Sequence, residues 1–227
     1  IDDLSETGVK RLLLSGGEPL MRPDIFRLLN DIDKAGIFPG LISNGCLVES
    51  NWDELKKHSY FFYQTSMDGI PDFHDRIRGM KGSFEEAMKS LELFGRIRTP
   101  IRIINSVVHA HNLEQLEEML GYVKSSAATR WQLTPLAKVG RASDGDWCLD
   151  KEGIAQVIAF IRKHHKEVPV DLSESHAYLA CQSNAALGYP FFCGAGLTRC
   201  SIMPDGEVLG CNQVYDNQYS EIGRAHV

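Results

Sequence analysis

The sequence lacks several features that would point to a membrane or to nucleic acid. No apolar run among the 227 residues is long enough to cross a bilayer, and no secretory leader is recognisable. Long basic runs are absent and the formal net charge is -6, so binding to nucleic acid is not expected. These absences predict a cytoplasmic protein with neither a membrane nor a nucleic-acid partner.

Common nucleotide-binding loops are missing as well. The glycine pair Gly16-Gly17 has no lysine after it, and the spacing G-x-G-x-x-G does not occur around it. The chain also starts at Ile1 rather than at methionine, and residues 1–8 resemble the end of a helix. We therefore expect an internal fragment of a longer protein.

Cysteines are scarce in the first part of the chain and concentrated near its end. Cys46 and Cys148 are isolated, whereas the last fifth contains the other four: Cys181, Cys193, Cys200 and Cys211. In a large charged chain without a leader, such a cluster favours metal binding over disulfides. Spacing alone leaves a zinc site, an iron–sulfur site and buried free thiols open.

Short apolar runs alternate with amphipathic segments through the first two thirds of the chain. The runs predict five strands: 10–15, 40–43, 61–67, 101–108 and 130–136. Helices are expected between them, and residues 70–82 are expected to form a long loop. A capping box of Ser83 and Glu86 is expected to start the helix after that loop. The alternation predicts an α/β fold with parallel strands, either an open doubly wound sheet or a full or partial barrel.

The strand ends carry small polar residues and glycines, where parallel α/β folds place their chemistry. Gly16-Gly17-Glu18-Pro19 follows the first strand and forms a rim suited to a cationic amine. Ser43-Asn44-Gly45, Ser66-Met67-Asp68-Gly69 and Asn105-Ser106 end the next three strands. Each segment taken singly is better explained as an ordinary turn, but their recurrence after successive strands favours a ligand site.

Several of these segments together resemble the radical S-adenosylmethionine superfamily. The resemblance rests on LLLSGGEPLMRPDI, LISNG, TSMDG, HDRIRGMKGSFEEA and VGRA, and it covers residues 1–168. It implies a partial (β/α)6 TIM-like barrel whose first strand precedes residue 1. It also implies bound S-adenosylmethionine and a catalytic [4Fe–4S] cluster, whose CxxxCxxC ligands would precede residue 1 too.

The resemblance also assigns residues to the S-adenosylmethionine pocket. By position, Gly16, Gly17 and Glu18 would hold the methionine amine, and Ser66 and Arg78 would contact the carboxylate or ribose. Asn44 is a further candidate for this pocket. A surface ion pair would explain Arg78 equally well.

The segment CGAGLTRCSIMPDGEVLGC resembles the start of the SPASM extension, an auxiliary-cluster domain of that superfamily. Pro204-Asp205-Gly206 is expected to turn between two short strands, which form a small Cys-rich hairpin. The resemblance implies that Cys193 and Cys211 ligate an auxiliary [4Fe–4S] cluster, with later ligands after residue 227. Cys181 and Cys200 are not assigned. We expect the SPASM segment over residues 169–221 and a non-native tail over 222–227.

The resemblance implies an oxidoreductase of the maturase type. It would generate a 5′-deoxyadenosyl radical for hydrogen abstraction, with a peptide or protein as substrate and flavodoxin or ferredoxin as electron donor. The 227 residues alone are expected to be inactive. His109 and His111 are interpreted as rim residues, and no catalytic residue is assigned. Two alternatives are a non-catalytic peptide-binding member with a structural metal and another barrel enzyme with a zinc-bound tail.

Overall fold

The computed structural model describes residues 1–136, 146–173, 194–211 and 223–224. The chain divides into two compact units, Ile1–His176 and Ala177–Val227. In the first unit the described strands are β1 (Arg11–Leu14), β2 (Phe38–Ile42), β3 (Phe62–Ser66), β4 (Ile101–Val108), β5 (Arg130–Pro135) and β6 (Val170–Leu172). The described helices are α1 (Asp2–Glu6), α2 (Ile25–Lys34), α3 (Trp52–Leu55), α4 (Pro71–Arg78), α5 (Ser83–Gly95), α6 (Leu116–Ser125) and α7 (Lys151–His164).

All six described strands of this unit form one parallel sheet in the order of the chain, with β1 and β6 at its edges. This confirms the predicted α/β class and the parallel, barrel-like succession of strands and helices. The expectation of five strands was wrong, because Val170–Leu172 pairs with Trp131–Leu133 as a sixth strand. Three residues are too few for hydrophobic alternation to reveal a strand, and pairing along β5 determines it.

The core lies between the sheet and the helices that cover one of its faces. Tyr63 of β3 stacks on Phe94 of α5 with ring centroids 3.8 Å apart, and Trp131 of β5 meets Phe160 of α7 edge-on at 5.6 Å. Tyr63 and Trp131 are completely buried. Aromatic burial of this kind contributes much of the hydrophobic stabilisation of a sheet–helix layer.

Two expectations for residues 70–86 were wrong. The expected loop contains the helix α4, which Pro71 starts at its first position and Gly79 ends in the left-handed conformation. The expected capping box is absent, since the residue before α5 is Gly82 and Ser83 is already helical. The carboxylate of Asp75 caps α5 instead, because it accepts hydrogen bonds from the backbone N–H of Gly82 and Phe84 at 2.5 and 3.0 Å.

Gly45 shows where the fold requires glycine after β2. Its φ is +91°, and a Cβ would lie 2.8 Å from the Cα of Ala87 in α5. We expect Gly45→Ala to be more destabilising than Gly36→Ala by about 1–3 kcal/mol, because it alone overpacks a helix backbone. Gly36 also has a positive φ (+69°) but open space around its Cβ, so both variants carry a conformational cost and only Gly45→Ala adds a clash. Urea unfolding of the two variants tests this, and equal losses would contradict it.

The second unit contains a small antiparallel sheet of β7 (Ser201–Ile202), β8 (Glu207–Leu209) and β9 (Gly223–Arg224). β7 and β8 form the expected hairpin around Pro204-Asp205-Gly206, with Gly206 at φ +85°. β9 pairs with β8 through residues that we expected to be a non-native tail. Across the described residues of both units, no helix is long and apolar enough to span a membrane.

Candidate functional site

The first strand end exposes backbone that is open to a ligand. Gly16 and Gly17 follow β1, are exposed, and have no atom within 4 Å of the position that a Cβ would take. No described residue bonds to the peptide N–H or C=O of either glycine. Gly16 also has a φ of +144°, which side chains rarely allow. The rim therefore presents free hydrogen-bonding groups without steric cover.

Glu18 joins this rim to the neighbouring strand end. Its Oε1 accepts a hydrogen bond from the backbone N–H of Leu20 at 3.1 Å, and its Oε2 accepts one from that of Asn44 at 2.8 Å. The hydroxyl of buried Ser43 lies 3.0 Å from both carboxylate oxygens. The carboxylate thus ties the end of β1 to the end of β2 and sets the position of Asn44.

We expect Glu18→Gln to destabilise the protein by about 1–3 kcal/mol, because the amide NH2 would face a backbone N–H that has lost its acceptor. The exposed variant Glu49→Gln removes a carboxylate that forms a surface ion pair with Lys89, and should change stability far less. Urea unfolding measures both. If Glu18→Gln were as stable as Glu49→Gln, the carboxylate would not be holding the two strand ends together.

A cavity of about 620 Å³ opens beside these strand ends. Its walls come from the ends of β3 and β4 and from the loops and helices that follow β2, β3, β4 and β5. They are formed by Asn44, Cys46, Ser66, Asp68, His74, Ile77, Arg78, Met80, Ser83, Val107, His109, Leu136 and Trp147. The volume is in the usual range for a small-molecule site, and the lining combines apolar walls with a few polar groups.

Asp68 organises the charged wall of the cavity. This buried carboxylate forms an ion pair with Arg78, whose Nη2 lies 2.6 Å from Oδ2, and its Oδ1 accepts from the N–H of Val107 at 3.0 Å. Arg78 keeps about a third of its side chain exposed (34%), whereas Asp68 is 7% exposed. Arg78 is therefore held from one side by a buried partner and presents its remaining donors to the cavity.

Asn112 completes this framework from the loop after β4. Its Nδ2 donates to the carbonyl oxygens of Asp68 and Val107, both at 2.8 Å, and its Oδ1 accepts from the N–H of His109. The side chain is almost fully buried. It thereby links the ends of β3 and β4.

Two buried histidines contribute neutral rings to the cavity. Nδ1 of His74 accepts a hydrogen bond from the N–H of Asp68 at 3.0 Å, and Nδ1 of His109 accepts one from that of His111 at 3.1 Å. Both rings therefore carry their proton on Nε2 when neutral. Burial lowers the pKa of both imidazoles, against the opposing charge of Asp68. Burial also raises the pKa of the Cys46 thiol, which stays protonated at neutral pH.

We expect the protein to lose stability as the pH falls from 7.5 to 5.5. The lowered pKa values of His74 and His109 mean that the unfolded chain binds more protons below about pH 6.5, the ordinary histidine pKa. Stability from these rings is complete above that pH and is lost as the pH falls toward the folded pKa. His109→Gln should flatten the pH dependence of the free energy of unfolding, whereas His165→Gln should not. Identical slopes in both variants would contradict this origin.

The structure brings three predicted residues to the cavity: Asn44, Ser66 and Arg78. Gly16, Gly17 and Glu18 lie at the adjacent strand end, joined to Asn44 through the Glu18 carboxylate. The surface ion pair considered for Arg78 is instead a pair with buried Asp68. Sequence reasoning missed Asp68 and His74 as wall residues, although Asp68 follows Ser66 by two positions and His74 precedes Arg78 by four, one turn of α4 away.

The cysteine assignments concern the second unit. Cys211 follows β8 and is half-buried, and Cys200 precedes β7 and is exposed. Cys193, Cys181 and the VGRA segment lie outside the described residues. Within the described residues, no group of three or more histidine, cysteine or acidic side chains is arranged to hold a metal.

Comparison with known proteins gives consistent matches. The model of the Radical SAM superfamily matches residues 1–123. The "PqqA peptide cyclase" of Ruegeria pomeroyi is 30% identical over 220 residues, which is 93% of this chain and 57% of that protein. The "AdoMet-dependent heme synthase" of Methanosarcina barkeri is 32% identical over 148 residues, 64% of this chain and 42% of that protein. The chain thus spans about half the length of these relatives.

Among solved structures, Streptococcus suis SuiB bound to the precursor peptide SuiA superposes with a TM-score of 0.71. The match covers 96% of this chain and 54% of that one, at 18% identity. At this identity the similarity shows a common fold.

Proposed function

This chain belongs to the radical SAM superfamily, and on that premise we propose that it binds S-adenosylmethionine between the Gly16-Gly17 rim and the neighbouring cavity. The observation that carries the proposal is the open rim itself. Its exposed peptide groups have no partner among the described residues and no side chain above them. A carbonyl rim can accept hydrogen bonds from an ammonium group, so Gly16 and Gly17 fit the methionine amine.

The remaining polar groups fit the other parts of that molecule. Arg78 offers guanidinium donors suited to the methionine carboxylate, and Ser66 adds a hydroxyl at the same wall. Asn44 is placed by Glu18 at the junction of rim and cavity. In this proposal Glu18 acts mainly by positioning, because its oxygens already accept hydrogen bonds from the protein.

The superfamily uses S-adenosylmethionine with a [4Fe–4S] cluster, which together supply a 5′-deoxyadenosyl radical for removing a hydrogen atom from the substrate. The described residues contribute orientation and shielding.

We infer further that the substrate is a peptide or protein, as in the relative named as a peptide cyclase, which matches 93% of this chain. A tetrapyrrole is the second candidate, because a heme synthase is similarly close over a shorter stretch. We also propose that Cys193 and Cys211 hold an auxiliary [4Fe–4S] cluster. A flavodoxin or ferredoxin is the proposed electron donor.

The proposal is tested on the complete protein, reconstituted anaerobically with iron and sulfide and reduced with dithionite. We expect it to convert S-adenosylmethionine to 5′-deoxyadenosine, and we expect Arg78→Gln to raise the S-adenosylmethionine concentration needed. The double variant Cys193→Ser/Cys211→Ser should lower the bound iron while the cleavage of S-adenosylmethionine remains measurable. Absence of 5′-deoxyadenosine would overturn the enzymatic proposal, and stoichiometric zinc in place of iron would overturn the auxiliary cluster.

A further inference from the structure

The parallel sheet has a second face that the helices of the described core do not fill. Along β3, β4 and β5, one set of alternate residues is fully buried, namely Tyr63, Thr65, Ile104, Ser106, Trp131 and Leu133. Of these, Tyr63 and Trp131 pack against Phe94 of α5 and Phe160 of α7. The alternate residues point to the opposite face. Ser66 and Val107 belong to this second set and line the cavity, so the second face and the cavity are continuous.

Strand pairing places four polar residues side by side on this face. Ser66 is paired with Asn105, Asn105 with Gln132, and Gln132 with Asp171, on β3, β4, β5 and β6 respectively. We call these four residues the polar row. Paired residues on parallel strands point to the same side, and neighbouring strands are about 4.8 Å apart. The polar row therefore starts at the cavity wall and extends about 14 Å along the face.

The groups in the polar row are suited to bind amides. All four residues are half-buried. The Gln132 amide makes no hydrogen bond to any described residue. Among the same residues, the Asn105 side chain bonds only through Oδ1, which accepts from the Thr134 hydroxyl at 2.8 Å. A carboxamide both donates and accepts, as a peptide group does. Half-burial removes part of the competing water, which makes such hydrogen bonds more selective.

Charge on the polar row is balanced. Its single carboxylate, on Asp171, pairs with Nη1 of Arg130 at 2.9 Å, and the other three members are uncharged. The polar row contains no cationic residue that could bind the carboxylates of an acidic ligand. The neutral backbone of a peptide has the matching polarity.

We propose that Asn105 and Gln132 bind backbone amide groups of an extended peptide substrate, which runs across β4 and β5 and presents one residue to the cavity. This rests on the proposed function, since it names how the peptide would be held at that same site. Because an extended chain rises about 3.4 Å per residue, Gln132 would meet a peptide group about three residues from the reacting position. Recognition by backbone makes this contact independent of the substrate's side chains at those positions.

The test uses the complete protein labelled with ¹⁵N and the blocked peptide acetyl-(Ser-Ala)3-amide as probe. We expect the side-chain NH2 signals of Asn105 and Gln132 to shift on titration. Asn105→Leu and Gln132→Met, which keep side-chain size, should each weaken the peptide about 10-fold, the loss of one hydrogen-bond contact. Gln156→Met makes the same chemical change on the exposed surface of α7 and should leave affinity unchanged.

Four results would overturn the inference, the last of them with a modified probe. In the first, the unaltered protein does not bind the probe, and in the second, the polar-row variants bind it with unchanged affinity. In the third, the protein binds the tetrapyrrole coproporphyrin III instead of the peptide, and that binding depends on Asn105 and Gln132. An unchanged affinity for the fully N-methylated probe, which lacks N–H donors, would count against the backbone contact to Asn105 and Gln132. If the complete protein fails to cleave S-adenosylmethionine but the polar row still binds the peptide, the enzymatic proposal fails and this inference stands. If the complete protein cleaves S-adenosylmethionine but its peptide binding does not depend on Asn105 and Gln132, the enzymatic proposal stands and this inference fails.

Discussion

Gly17→Val is expected to weaken S-adenosylmethionine binding by about 100-fold, equivalent to about 2.8 kcal/mol, while the fold stays intact. A Cβ at Gly17 would meet no protein atom within 4 Å, so the folded chain has room for the side chain. The same open space is what the proposed ligand would occupy. A branched side chain there would keep an amine from reaching the peptide groups of the rim. Calorimetric titration of the reconstituted complete protein measures the loss.

The matched control is Gly121→Val, on the exposed side of α6, where a Cβ also meets nothing within 4 Å. It should bind S-adenosylmethionine normally and lose only the stability that valine costs on an exposed helix. If Gly17→Val bound with unchanged affinity, the rim would be an ordinary turn. If it bound weakly because it unfolded, its circular dichroism spectrum would differ from that of Gly121→Val.

Asp68→Asn is expected to lower the free energy of unfolding by about 2–3 kcal/mol and to weaken S-adenosylmethionine binding together with it. The amide can still accept from the N–H of Val107, but Arg78 loses its buried counter-charge. An arginine without that partner would leave the cavity wall for solvent. Chemical unfolding and calorimetry measure the two effects separately.

Asp53→Asn provides the control, since Asp53 pairs with Lys56 on the surface at 2.5 Å and is 91% exposed. Surface pairs of this kind contribute about 0–1 kcal/mol, so little change is expected. A loss equal to that of Asp68→Asn would mean that burial of the Asp68–Arg78 pair is unimportant. If Asp68→Asn were destabilised but bound S-adenosylmethionine with unchanged affinity, Arg78 would not be part of the proposed binding pocket.

Local signals were sufficient for much of the fold. Ile101–Val108 was predicted at its observed bounds because β-branched apolar residues recur over its eight positions, and the hairpin at Pro204-Asp205-Gly206 followed from turn chemistry. Helix α4 was not predicted because its many charged residues leave only a weak apolar face, formed by Phe73 and Ile77. Its burial depends on neighbours that are distant in the chain.

The sequence by itself determined the strand ends and the glycine rim, because glycines, turns and apolar runs act over a few residues. Ser66 and Arg78 became candidates through the resemblance to the superfamily. Only the tertiary structure decided how these groups are used. It joined Glu18 to Asn44 and Arg78 to Asp68, and it aligned Asn105 with Gln132 across the sheet. Hydrogen bonds and ion pairs between residues far apart in the chain depend on strand register and helix placement, which no local pattern specifies.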